Sequence, residues 1–195
     1  MSIRHADFER TTGETAVVVS LTLDGTGEHN CCTGIGFLDH MLSALACHSR
    51  FNLDISCTGD LYVDDHHTAE DCAIALGRAF EAAIGDRVGI ARFGSACVPL
   101  DESLARAVVD ISGRPYAVID LALSRDIVGT MACENITHFF RTFATAASLT
   151  LHVTVLAGDN DHHRAEASFK ALAIALRQAA ARDGRTEVPS TKGVL

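Results

Sequence analysis

The sequence predicts an α+β protein built from two copies of one half-domain. Each copy runs strand, strand, helix, strand, helix (ββαβα), a mostly antiparallel sheet with helices on one face. Three observations predict this. Apolar runs of period two alternate along the chain with runs of period three or four, so strands and helices are interleaved. The stretch Asp65-His66-His67-Thr68-Ala69-Glu70 returns 96 positions later as Asp161-His162-His163-Arg164-Ala165-Glu166. Other residues keep nearly the same spacing: His40 with His138, Leu53 with Leu151, Ile55 with Val153, and Leu76 with Leu172. Internal duplication explains all of these together. The expected division is 1–90 for the first repeat and 91–195 for the second with its C-terminal tail, in one compact pseudo-symmetric unit.

Each element has its own signal. Thr15 to Leu23 is a β-branched run closed by Asp24-Gly25, hence a strand and a turn. His29 to Thr33 is expected to be its hairpin partner. Phe37, Met41, Leu45 and His48 recur at helical spacing after Gly36. Phe51 to Thr58 alternates strictly, which turns Phe51, Leu53, Ile55 and Cys57 inward. From about Asp65 to Ile84 a helix buries Cys72, Leu76, Ala79, Phe80 and Ala83.

The second half repeats the order. Leu104 to Ile111 is a strand, and Tyr116 to Leu123 reads as its neighbour. Ile136, Phe139, Phe140 and Phe143 carry a helix, Leu149 to Val155 alternates, and Asp161 to about Ala181 is helical. Residues 85–101 are expected to join the halves, and 188–195 to form a flap.

Composition narrows the function. A net charge of −9 disfavours non-specific nucleic-acid binding, which needs a basic surface. With 48% hydrophobic and 21% charged residues the chain can build a core, and no apolar run is long enough to span a membrane. The N-terminus lacks the apolar stretch of a signal peptide, so a cytoplasmic address is expected. Seven cysteines with no C-x-x-C argue against a disulfide framework or a zinc ribbon. Cys57 and Cys72 read as structural thiols.

The chemistry is concentrated in the repeated His-His-x-x-Glu. On a helix Glu70 lies one turn from His66, and Glu166 one turn from His162. Adjacent histidines diverge by about 100° around the axis, so each pair suits two neighbouring metal sites better than one. With His40 and His138 the ligands number six His and two Glu, or three His and one Glu per site. Such donors accept Mn, Fe or Zn. A single copy could equally be a solvated helix start, its acids complementing the helix dipole. Two copies with matched upstream histidines weigh against that. His5, His29, His48 and His152 fall outside the pattern. Lys170, four residues after Glu166, points to an anionic substrate group or to an ordinary i,i+4 ion pair. Arg92, Arg114 and Lys192 are further anion candidates.

Gly36-Phe37-Leu38-Asp39-His40-Met41, the two His-His-x-x-Glu stretches and the terminal Pro189-Ser190-Thr191-Lys192-Gly193-Val194-Leu195 together resemble the imidazoleglycerol-phosphate dehydratase family of histidine biosynthesis. The resemblance runs from about Arg10 to Leu195 and is to the stand-alone enzyme, a lyase. It implies two Mn²⁺ per active site, one held by His66, His138, His162 and Glu166, the other by His40, His67, His163 and Glu70. It also implies that Arg92, Arg114, Lys170, Ser190 and Lys192 hold the substrate phosphate, that Glu14 is the catalytic acid/base, and that Asp101 supports it. Homo-oligomers, 24-mers with active sites completed between subunits, are implied as well. One departure is Ser43-Ala44, where many members carry an acidic residue and Gln. The expected reaction removes water from imidazole glycerol phosphate to give imidazole acetol phosphate. Metal bound to the substrate ring would favour imidazolate, and Glu14 would move the C2 proton. The alternatives are a dinuclear metallohydrolase and a structural or metal-storage assembly.

Overall fold

Among the described residues, 3–195 of the computed structural model, the chain forms fourteen elements. β1 (His5–Thr11), β2 (Thr15–Thr22), β3 (His29–Cys32), α1 (Gly36–Ser49), β4 (Asn52–Gly59) and α2 (His66–Ile84) come first. They are followed by β5 (Phe93–Leu100), β6 (Ser103–Asp110), β7 (Tyr116–Asp120), α3 (Cys133–Ala146), β10 (Thr150–Ala157) and α4 (Asp161–Ala180). A small hairpin of β8 (Ile127–Val128) and β9 (Met131–Ala132) precedes α3. The two four-stranded sheets have matching orders, β1-β2-β4-β3 and β5-β6-β10-β7. The α+β class, the duplication and the predominance of antiparallel pairing are all present.

Two features correct the sequence expectation. Each four-stranded sheet carries one edge strand, β1 or β5, beyond ββαβα, and the second half adds the β8–β9 hairpin. In β1 only Ala6, Phe8 and Arg10 turn inward. In β5, which occupies much of the expected linker, the inward positions are Gly94, Ala96, Val98 and Leu100. A side chain at Gly94 would collide with the α4 backbone at Ala175, so close sheet–helix packing selects the small residue there. Second, β3 is not the hairpin partner of β2, nor is β7 the neighbour of β6. Both run parallel to the last strand of their half, β3 to β4 and β7 to β10. Each is followed by a helix before the strand it pairs with, and that crossover permits parallel pairing.

Helices cover one face of each sheet. Val17, Val19 and Leu21 of β2 are buried, while Ala16 and Val18 face outward. α2 packs on β1 and β2, and α4 on β5 and β6. The helix layers then meet, α2 against α3 and α1 against α4. Both pairings join the two halves. Phe80 and Phe143 stack edge-on across the first, and Phe139, Phe140 and Phe169 cluster within the second half. Gly77 lets α2 approach α3 closely, since a Cβ there would lie 2.6 Å from Ala146 Cβ and 2.9 Å from the Phe143 carbonyl. No helix among the described residues is long and apolar enough to cross a membrane.

The tail is packed rather than free. Ile90 bridges to Arg182, Gly89 N–H donates to the Glu187 carbonyl, and the C-terminal Leu195 lies against Gly113. Cys72 is buried and Cys57 half-buried on the inner side of β4, as thiols filling a core do.

Candidate metal centre and active site

Both His-His-x-x-Glu stretches open their helices. Asn160 at the N-cap of α4 accepts the His162 N–H through Oδ1 at 2.9 Å, and in α2 Asp64, one residue before the cap, accepts the His66 N–H at 2.8 Å. The acid that begins each stretch is structural. Asp65 accepts the Ala132 N–H, tying the start of α2 to that of α3. Asp161 is buried and accepts from Ser124, Arg125 and Arg164.

The inter-half helix contacts gather the histidines into two triads. His66 and Glu70 of α2 meet His138 of α3, and His162 and Glu166 of α4 meet His40 of α1, with candidate ligand atoms in each triad within 4.8 Å of one another. The atoms converge through Nε2. His138 Nε2 is 2.9 Å from Glu70 Oε1, and both His40 and His162 present Nε2 at 3.2 Å from Glu166 Oε2. The rings of His66 and His138 stack at 4.9 Å. Imidazole nitrogen and carboxylate oxygen aimed at one point suit a divalent transition metal, so the residues fit the ions that the sequence suggests.

This grouping differs from the partition implied by the resemblance, which placed Glu166 with His66 and His138, and Glu70 with His40. Each Glu follows the first His of its own helix by four residues, so its carboxylate stays over that turn. Helix packing then supplies the upstream His of the opposite half. His67 and His163 stand outside the triads. Each triad has two His and one Glu, and among the described residues no further His, Cys, Asp or Glu joins either group within that distance.

The two outlying histidines are held through Nδ1. His67 Nδ1 lies 3.0 Å from Asp60 Oδ2, and His163 Nδ1 lies 2.7 Å from Glu102 Oε2. Asn135 Oδ1 does the same for His66 at 2.9 Å. Sequence reading missed Asp60, Glu102 and Asn135 as site residues. The only available signal was Glu102, eleven residues before Gly113 as Glu14 is before Gly25. The Asp60 hydrogen bond raises the His67 pKa above the ordinary imidazole value, and Glu102 does so for His163. Hydrogen bonds from His163 and from the Asn160 N–H hold the Glu102 carboxyl far below the usual carboxylate range. Burial would raise Glu166, but Lys170 and His40 bring it down to about 2.

Glu14 sits in the β1–β2 turn, 3.6 Å from His67 Nε2, 54% exposed and open to solvent. Asp101 occupies the corresponding β5–β6 turn with φ +47° and contributes negative charge near His163. Lys170 forms the i,i+4 pair with Glu166 at 2.8 Å. The remaining anion candidates gather elsewhere. The Arg92 guanidinium binds Asp110 and the Pro189 carbonyl, and Arg92 and Ser190 line the same open pocket. Ser190 Oγ accepts the Lys192 N–H. Arg114 Nη1 reaches the Ser112 carbonyl in the turn that Leu195 packs against. Arg92 N–H donates to the Ala179 carbonyl, thirteen residues along α4 from Glu166, or about 20 Å at helical rise. Arg92 and the Glu166 triad therefore lie toward opposite ends of α4 within one chain, with Lys170 near that triad.

Of the open pockets, one of about 690 Å³ lined by Leu121, Arg125 and Asp126 contains no triad residue. Glu70 and His138 instead line a groove of about 480 Å³ with Arg78 and Arg141. The donor geometry, not pocket size, identifies the site.

Comparison with known proteins identifies the family. The family model described as imidazoleglycerol-phosphate dehydratase matches residues 33–176. The chain is 63% identical over 193 residues to an imidazoleglycerol-phosphate dehydratase of Phytophthora nicotianae, covering 99% of this chain but 43% of that protein's length. It is 60% identical over 166 residues to that of Saccharomyces cerevisiae, covering 85% of this chain and 76% of the relative. With the Kluyveromyces lactis protein it shares 50% over 215 residues, covering 98% and 97%. Among solved structures, imidazoleglycerol-phosphate dehydratase from Staphylococcus aureus superposes with TM-score 0.82 at 38% identity, covering 91% of this chain and 99% of that one. IGPD from Pyrococcus furiosus, in complex with (S)-C348, gives 0.83 at 37%, covering 96% and 99%.

Proposed function

The chain belongs to the imidazoleglycerol-phosphate dehydratase family, a family of hydro-lyases, and on that premise we propose that it removes water from imidazole glycerol phosphate at a dinuclear Mn²⁺ site. The observation that carries the reading is the pair of cross-half triads, His66–Glu70–His138 and His40–His162–Glu166. Each would hold one ion, with His67 and His163 supplying the remaining imidazole donors. The chemistry such ions supply when bound is Lewis-acid polarisation of the substrate's imidazole ring.

The protein's own groups do the rest. The proton on chain carbon C2 of the substrate is barely acidic, so its removal as the neighbouring C3 hydroxyl leaves needs a base held beside that carbon. Glu14, exposed and 3.6 Å from His67 Nε2, is that base in our reading. Arg92, Arg114, Lys170, Ser190 and Lys192 bind the phosphate, Lys170 from the triad side. Phosphate binding holds the carbon chain in register, so its energy goes into orientation.

The separation of about 20 Å along α4 between the Arg92 contact and the Glu166 triad exceeds the reach of one small substrate. We read the tail-end cations of one subunit as serving a triad of another. His67 and His163, outside the triads of their own chain, complete sites in the same way. Both points support a homo-oligomer, the 24-mer that the resemblance implies.

The test is to strip the protein of metal, reconstitute it with Mn²⁺, and measure bound metal together with conversion of imidazole glycerol phosphate. Two ions per chain and formation of imidazole acetol phosphate are expected. Phosphate release without loss of water would mark a hydrolase, and bound metal without turnover a structural or storage role.

A further inference from the structure

The two β-turn carboxylates, Glu14 and Glu102, occupy matching places in the two halves, each in the hairpin between the first two strands. Their surroundings differ. Glu102 Oε2 lies 2.7 Å from His163 Nδ1. Its other oxygen accepts from the N–H groups of Asp159 and Asn160, at 3.2 and 2.9 Å, and from Ser103 Oγ at 3.0 Å. Glu14 makes no contact with Nδ1 of His67, which is occupied by Asp60 at 3.0 Å. Asp60 stands six residues before His66, and the residue six before His162 is Leu156. The position six residues before His162 thus holds no carboxylate, and in the second half Glu102 makes the Nδ1 contact.

We propose that Glu102 is a positioning residue that fixes the tautomer of His163, and that Asp60 does this for His67, leaving Glu14 free for chemistry. The inference rests on the metal site proposed above. An ionised carboxylate can only accept, so the partner Nδ1 must carry the proton. Nε2 then keeps its lone pair and points away from the carboxylate as a metal donor. Duplication supplied two equivalent glutamates. One is fully engaged by a ligand histidine and by backbone N–H groups at the start of α4. The other leaves the Nδ1 contact to Asp60 and is solvent-accessible beside Nε2.

Glu102→Gln tests this with little change of shape. Three donors, the Asp159 and Asn160 N–H groups and Ser103 Oγ–H, hold the amide oxygen on their side, so the amide NH₂ faces His163. An NH₂ group can only donate, so Nδ1 must accept and Nε2 takes the proton, which prevents ligation. Mn²⁺ titration of the full-length protein should show one of two ions weakened about 10- to 100-fold, with thermal stability of the metal-free protein unchanged. Asp60→Ala, which leaves the α4 loop untouched, should weaken the other ion over the same range. Wild-type affinity at both ions in these variants would overturn the assignment. So would an affinity loss matched by a fall in metal-free stability, which would make Glu102 only a loop anchor. If the unaltered protein binds no Mn²⁺, the metal reading itself fails, and that result is distinct from either.

Discussion

Glu70 and His138 are separated by 68 residues of sequence, yet Glu70 Oε1 and His138 Nε2 lie 2.9 Å apart, one on α2 and the other on α3. His40 and Glu166 meet across α1 and α4 at 3.2 Å. Neither triad belongs to one half. A metal ion bound there joins the halves, so metal binding and the packing of the helix layers are coupled.

Each triad should lose its ion independently. Glu70→Gln is expected to reduce bound Mn²⁺ from two ions per chain to one, and Glu166→Gln to do likewise at the other position. The double variant should bind none. Metal analysis after gel filtration checks this, and full occupancy in either single variant would remove that carboxylate from the ligand set.

Glu14→Gln should leave both ions in place, because Glu14 belongs to neither triad. Turnover should fall by roughly 10²- to 10⁴-fold, the usual contribution of a positioned acid/base group. Steady-state rates alongside metal content separate the two effects, and an unchanged kcat would exclude Glu14 from proton transfer.

Lys170 has two measurable roles. With metal bound, Lys170→Ala should raise KM without loss of Mn²⁺; metal loss at constant KM would contradict the phosphate role. In metal-free protein the same change breaks a mostly buried pair, at a cost of about 1–3 kcal/mol at neutral pH. The sign of its pH dependence follows from Glu166, whose folded pKa of about 2 lies below its ordinary value of 4.5. A depressed carboxylate contributes stability that is present above about 4.5 and lost as pH falls toward about 2. Denaturant titrations of metal-free protein across that window should show a shallower acid loss in the variant.

Gly77 and Gly94 are held by close packing rather than by backbone angle. Gly77→Ala would bring a methyl group to 2.6 Å from Ala146 Cβ at the α2–α3 contact. Gly94→Ala would press on the α4 backbone. Each should cost about 1–3 kcal/mol in unfolding experiments. Gly77→Ala is also expected to weaken metal binding, since it displaces α3, which carries His138, from α2, which carries Glu70.

The sequence by itself determined what is set by local period. Alternation in Leu53, Ile55 and in Leu151, Val153 defines two central strands. Helical spacing places each Glu one turn after a His, and recurrence of the whole pattern exposes the duplication. These survive in the structure because neighbouring residues on one element share a face whatever lies around them. The tertiary structure alone decided which elements meet. The edge strands β1 and β5, the parallel placement of β3 and β7, the pairing of Glu70 with His138 and of Glu166 with His40, and the carboxylates behind His67 and His163 all depend on contacts between distant segments. Such contacts are fixed by how sheets and helix layers pack, and that information is spread over the whole core rather than written in any one stretch.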